Sequence, residues 1–311
     1  MSVAAQALDR RPLDAIAVGL MLLLCASWGL QQVVIKVTAP LMGAVMQAGV
    51  RSAIAALLVY GFTLWRRQPL WQRDGTLPAG LLAGLLFGGE FLCIFVGLGH
   101  TTASRMAVFL YTAPVFTALG LHFTVPGERL RPAQWLGVIA AFAGIVIAFA
   151  DGIGNGIGGA TTSPTQGGST LIGDGLGVLA GALWAATTLL VRASPLASAP
   201  ASKTLLYQLA VSAVALLALA LMAGQHIDVQ FNGLVFASLF YQSVLVAFAS
   251  YLAWFWLLRQ YLTSRLAVFS FLTPLFGVTF GVVLMHDVVG VRFAISALLV
   301  LGGIVLVNRR G

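Results

Sequence analysis

Ser104-Arg105-Met106-Ala107-Val108-Phe109 returns 160 residues later as Ser264-Arg265-Leu266-Ala267-Val268-Phe269. At the same offset Pro114 meets Pro274 and Phe116 meets Phe276, so seven of the thirteen positions 104–116 are identical. The likeness spreads outward with small drifts of offset. Gly144-Ile145-Val146 matches Gly303-Ile304-Val305, Trp28 and Lys36 match Trp184 and Arg192, and Gln47 matches Gln208. Self-similarity at a fixed period means one structural unit written twice.

Composition says what kind of unit it is. Of 311 residues, 59% are hydrophobic and only 8% are charged, against about 25% charged in soluble domains. A water-facing surface cannot be made from this chain. Disorder needs the opposite balance, and a disulfide scaffold needs more than Cys25 and Cys93. A membrane barrel needs alternating strands of about 10 residues, whereas Leu136–Ala150 is an unbroken apolar run and Leu81–Gly99 is apolar except for Glu90. Helices of about 20 apolar residues remain. Roughly ten such runs are found: 15–35, 42–64, 79–99, 105–124, 133–150, 174–192, 203–223, 232–258, 266–285 and 289–307. Five fall in each copy. Five is odd, so the second copy enters the membrane from the opposite side. The sequence therefore predicts an all-α integral membrane protein of ten transmembrane helices in two inverted five-helix repeats. Residues 1–150 hold the first repeat, 151–173 an external linker rich in Gly, Ser and Thr, and 174–311 the second. Such symmetry recurs in secondary transporters, where two similar halves rock about a central site.

Basic residues set the orientation, since they collect on the cytoplasmic side. A cytoplasmic N-terminus puts 13 of the 17 Lys and Arg inside, among them Arg66, Arg67, Arg129, Arg131, Arg309 and Arg310. Both termini are then cytoplasmic, and Arg10–Arg11 flank an uncleaved first span. The formal net charge of +8 is a topology signal, and nucleic acid is excluded as a partner because no soluble basic face exists.

The ten-span layout, Trp28-Gly29 with Lys36 closing span one, and the Ser-Arg-x-Ala-x-x-x-x-x-x-Pro pattern of spans four and nine resemble the EamA-like family of the drug/metabolite transporter superfamily. The resemblance covers essentially the whole chain. It implies a basket whose cavity is lined mainly by spans 1, 3, 4, 6, 8 and 9, with spans 5 and 10 as scaffold. It also implies export or facilitated movement of amino acids, related metabolites or drugs across the bacterial inner membrane, without a cofactor and without specifying the substrate.

Several residues stand out as candidates for such work. Glu90 lies near the middle of span three, where an ionised group costs about 2.5–3.5 kcal/mol on insertion scales and normally faces a cavity or a partner. It is read either as a group that exchanges protons or contacts substrate, or as the structural partner of Arg51. Arg51, roughly 14 Å into span two at 1.5 Å per residue, either holds a substrate carboxylate or pairs with Glu90. Trp28 and Trp184 are deep indoles at equivalent positions, able to wall a cavity or to pack the two halves together. Tyr111 and Tyr251 are weaker forms of the same idea. Lys36 and Arg105 at one end, with Arg192 and Arg265 at the other, read as mouth charges or as interfacial anchors. Pro114 and Pro274 interrupt helices at matched places and are candidate hinges. Gly80, Gly84 and Gly88, with Gly177–Gly181 and Gly277–Gly281, allow close helix approach.

Other signals lead nowhere. Gly154–Gly159 matches GxGxxG, with Asp174 twenty residues beyond Gly154, but a dinucleotide site needs a strand before and a helix after. Neither lysine follows a glycine, so no phosphate-binding loop exists, and the four histidines are scattered without metal-ligand spacing. The alternative reading, a membrane-embedded enzyme acting on lipid-borne substrates, needs a nucleophile, base or metal set near one interface, and none is found. The expected partners are lipid and a small-molecule substrate, with protons as the candidate coupling ion.

Overall fold

The computed structural model describes residues 14–68, 70, 74–124, 129–158, 170–225, 232–261, 266 and 269–308. Among these the chain is helical and has no strand. Eight helices are long and apolar enough to cross a membrane: α1 (Ala15–Thr38), α2 (Ala44–Trp65), α3 (Leu77–Gly97), α4 (Ala103–Thr124), α5 (Pro132–Gly158), α6 (Thr170–Ala193), α7 (Ala201–Met222) and α8 (Gly233–Leu257). Two shorter apolar helices follow, α9 (Leu272–Met285) and α10 (Val291–Asn308). Large apolar side chains such as Leu23, Leu57, Ile139, Val214 and Leu298 stand exposed on the outer surface. In water such a surface would aggregate; in lipid it is the solvent-matched face.

Local chemistry sets the helix ends. Asp14 caps α1 by accepting from Ala17 N (2.8 Å), Thr102 caps α4 by accepting from Arg105 N (3.1 Å), and Asn232 caps α8 by accepting from Leu234 N (2.9 Å). Each satisfies a backbone donor that a helix start leaves unpaired. The helical backbone of α5 runs on to Gly158 and α6 begins at Thr170, so helix takes over both flanks of the segment 151–173 expected as a linker. Glycine costs a helix only about 1 kcal/mol relative to Ala, and a helix already propagating past Phe149 continues. Residues 159–169 lie outside the described residues.

The matched prolines do more than bend their helices. α4 is interrupted at Tyr111–Thr112 and resumes at Ala113, and the turn at Phe271 precedes α9. Pro114 and Pro274 therefore sit in the first turn of a fresh helical segment, where the missing N–H is harmless. α8 departs from regular winding in another way. Tyr241–Ser250 is wound as a π-helix between two α-helical stretches, a feature concentrated at functional sites.

Packing crosses between the two halves of the chain. α1 packs on α9 and α4 on α6; α2 packs on α7, and α5 on α10. Small residues let these pairs approach. A Cβ added to Gly84 would lie 2.7 Å from Tyr207 O of α7, and one added to Gly181 would lie 3.0 Å from Leu110 O of α4. At α5 and α10, Gly137 faces Gly303 and Gly144 faces Ser296. In each of these two contacts one residue is the 159-offset mate of a residue in the other.

Candidate functional site

The first half of α4 is clamped between α6, through Gly177 and Gly181, and α9, through Gly277 and Gly281. This clamp brings Ser104 and Arg105, in the first turn of α4, against acidic residues from the second half of the chain. Arg105 Nε lies 3.0 and 3.1 Å from the two Asp174 carboxylate oxygens, and its Nη2 lies 2.5 Å from Asp174 Oδ2. Nη2 also donates to Ala148 O of α5 (2.9 Å). Phe293 of α10 lies under the guanidinium at 5.0 Å. Thr101 Oγ1 donates to Asp174 at 2.7 Å. Asp174, five residues into α6, is completely buried.

Two more groups finish this end. Lys36, in the last turn of α1, donates to Leu98 O (3.1 Å) and to Thr101 O. Asp287, just past α9, accepts from Ser104 N (2.9 Å) and Ser104 Oγ (2.8 Å). Helices α1, α4, α5, α6 and α9 are thus tied at one end of the molecule by a polar network, buried at Arg105, Asp174, Thr101 and Ser104 and half-buried at Lys36 and Asp287.

The opposite end is held differently. Asp14 accepts from the Tyr261 hydroxyl (2.7 Å), and Lys203 Nζ lies 2.7 Å from Asp74 Oδ2. Asp14 is exposed, as is Arg192 in the last turn of α6. The Ala17 N–H first and the Tyr261 hydroxyl second hold the Asp14 carboxyl below the ordinary carboxylate range. The Lys203 ammonium and then the Thr76 hydroxyl hold Asp74 well below it. Arg265 lies outside the described residues.

Between these ends sit the mid-helix candidates. Arg51 is fully buried on α2, with its Cζ 4.0 Å from the Phe91 ring centre. Glu90, buried on α3, and Tyr251, on α8, lie within electrostatic reach of it. No hydrogen bond reaches any of the three guanidinium nitrogens, so Arg51 and Glu90 do not form the direct pair that was one reading of the sequence. Tyr111, buried at the break in α4, lies within reach of Glu90, Tyr251 and Cys25. The aromatic candidates gather around the same level. The Tyr111 and Trp184 rings meet edge-on at 5.4 Å, and Trp28 meets Trp254 edge-on at 5.9 Å. Trp28 Nε1 donates to Ser250 Oγ (2.8 Å). Ser250 is the repeat mate of Glu90, so the indole of one half meets the position that carries a carboxylate in the other.

The structure buries Glu90, Arg51 and Tyr111, leaves Tyr251, Trp28 and Trp184 half-buried, and places Lys36 and Arg105 in one network. The sequence reading missed the partners of that network, Asp174, Thr101, Ser104 and Asp287. In the sequence Asp174 reads as the tail of a failed nucleotide motif. Its signal was available, because a carboxylate in an apolar helix is functional or paired by default and it stands 160 residues after Asp14.

Comparison with known proteins agrees with this architecture. The EamA-like transporter family model matches residues 15–150 and 171–309. An uncharacterized transporter of Archaeoglobus fulgidus is 29% identical over 266 residues, covering 84% of this chain and 86% of that protein. The uncharacterized transporter YvbV of Bacillus subtilis is 24% identical over 285 residues, covering 91% of this chain and 87% of its own length. A solved crystal structure shares the fold with a TM-score of 0.59 at 19% identity, over 92% of this chain and 94% of that one.

Proposed function

The chain belongs to the EamA-like transporter family, and from that premise we propose that this multi-pass membrane transporter carries a small metabolite across the bacterial inner membrane by alternating access between two inverted five-helix repeats. Ten spans with both termini cytoplasmic, as the basic residues favour, make the Asp174 end periplasmic and the Asp14 end cytoplasmic. The two halves then form equivalent frameworks around a central site, and rocking them exchanges which end is tied. Several observations support the symmetry. α1–α9 and α4–α6 are exchanged packings, and Gly137–Gly303 and Gly144–Ser296 are repeat-related contacts. Asp174 with Thr101 and Asp14 with Tyr261 are likewise repeat-related bonds.

One observation carries the functional reading above the others. Glu90, a carboxylate at mid-helix, is buried without an ion pair among the described residues, while the ordinary fate of such a group is a partner or a functional site. In this reading Glu90 takes a proton in one facing of the transporter and gives it up in the other, with Trp28, Trp184, Tyr111 and Tyr251 forming the walls against which substrate rests. Pro114 and Pro274 mark where α4 and the segment before α9 change direction as the halves move. Lys36 and Arg105 act at the periplasmic mouth, and Arg192 and Arg265 at the cytoplasmic one.

The test is export itself. Cells making the protein should accumulate a distinct metabolite outside relative to cells lacking it, and Glu90→Gln should abolish that difference at equal membrane abundance. Reconstituted into vesicles with that metabolite and a trapped pH dye, the unaltered protein should move protons and Glu90→Gln should not. Unchanged, still proton-linked flux in the variant removes Glu90 from the coupling role.

A further inference from the structure

Buried polar atoms in folded proteins are nearly all hydrogen-bonded, so a cluster of enclosed atoms with no protein partner calls for a partner from outside the chain. This protein holds such atoms on two helices that pack together. On α2, all three guanidinium nitrogens of Arg51, both amide atoms of Gln47 and the Ser52 hydroxyl have no partner. On the π-wound stretch of α8, which packs against α2, the same is true of Gln242 Oε1 and the Ser243 hydroxyl. All five residues have zero solvent exposure. Gln47 and Arg51 are one turn apart and share a helix face. Gln242 is fastened from behind, because its Nε2 donates to Ser238 Oγ (2.8 Å), which in turn lies 2.7 Å from Thr38 Oγ1.

The chemistry of the cluster selects its ligand. The Phe91 ring covers one face of the Arg51 guanidinium, leaving its in-plane N–H donors as the available fork. That fork matches the two oxygens of a carboxylate. A doubly charged phosphate asks for more than one cation, and Arg51 is the one cation of this cluster, with the carboxyl of Glu90 within its electrostatic reach. When Glu90 holds its proton, as it does in one facing of the proposed cycle, a single negative charge balances Arg51. We propose that Arg51, flanked by Gln47 and Gln242, seats a carboxylate group of the transported molecule. Gln242 and Ser243 both belong to the π-wound stretch of α8, a winding concentrated at functional sites. This inference rests on the transport reading above and names the substrate class for it.

The experiment uses the purified full-length protein in detergent, with thermal unfolding followed by thiol-reactive dye capture of Cys25 and Cys93, both buried and free. The probes are acetate, benzoate and 3-phenylpropionate, each beside its neutral amide at equal ionic strength. At least one acid should raise the midpoint in a dose-dependent way while its amide does not. Arg51→Lys, which keeps the charge but loses the fork, should weaken that acid about tenfold, and Arg51→Gln should remove the response. Gln47→Leu, which leaves Arg51 in place, should weaken it less and serves if the Arg51 variants fail to fold. No acid response in the unaltered protein identifies an internal water site only and overturns the proposal. Equal responses to acid and amide, or an acid response that survives in Arg51→Gln, overturn it too. The transport reading fails separately: carboxylate binding through Arg51 with no flux would end that reading and keep the seat. Acid and amide carried alike would end the seat and keep transport.

Discussion

Asp14 and Asp174 stand 160 residues apart, near the starts of α1 and α6, and each accepts a hydroxyl from a residue that is itself 160 positions from its counterpart: Tyr261 for Asp14, Thr101 for Asp174. Their surroundings differ completely. Asp174 is sealed from solvent and shared between Thr101 and the Arg105 fork, whereas Asp14 is exposed. Matching residues thus do unlike work at the two ends. A buried ion pair is a commitment of the fold, because separating it leaves an uncompensated charge. An exposed carboxylate bonded to one hydroxyl is screened by water and salt and holds its neighbours weakly. The carboxylate at the Asp174 end is sealed, whereas at the other end both Asp14 and Asp74 are exposed even though Asp74 pairs with the buried Lys203, an asymmetry in keeping with one facing of the proposed alternating-access cycle.

The difference is open to measurement. Asp174→Asn should have the largest effect, lowering stability by about 3–5 kcal/mol because it strands the buried Arg105 charge; thermal unfolding read through Cys25 and Cys93 gives the value. An effect no larger than that of Asp14→Asn would mean the two ends are alike after all. Gly281→Leu comes next. A Cβ there already approaches Ser104 N to 3.0 Å, so a larger side chain pries α4 from α9 and should cost about 1–3 kcal/mol by overpacking. The same measurement should show little change for a substitution at Gly19, which has nothing within 4 Å.

Acidification should have the smallest effect, and it should act at the exposed end. The carboxyls of Asp14 and Asp74 are held below the ordinary range when folded. Their stabilisation is therefore fully present above the unfolded carboxylate value and is lost as pH falls through the folded one. The unfolding midpoint should decline below about pH 4, and the Asp14→Asn, Asp74→Asn double variant should show a shallower decline. An unchanged pH profile in that variant would show that neither contact matters to the fold.

Much of this architecture could be read from residues alone, and the reason is physical. Hydrocarbon demands long apolar helices with every backbone group satisfied internally, so helix number and limits are written in composition, as in α1, α3 and α7. The duplication is visible because the 104–116 and 264–276 segments face equivalent constraints in each copy. Glu90 and Arg51 announced themselves because charge at mid-helix is costly. Their relation did not follow, since spacing on two separate helices says nothing of where two side chains meet. The structure keeps them out of direct contact, Arg51 lying over Phe91.

Linear order determined that this chain is helical, membrane-embedded and built twice, because hydrophobic length and repetition are properties of neighbouring residues. Tertiary structure alone decided that Arg105 takes Asp174, that α8 unwinds into a π-helix beside α2, and that Gln47, Arg51 and Gln242 are enclosed with polar atoms left without protein partners. Those outcomes depend on which faces of distant helices are pressed together by their small residues, and that geometry exists only once the chain has packed.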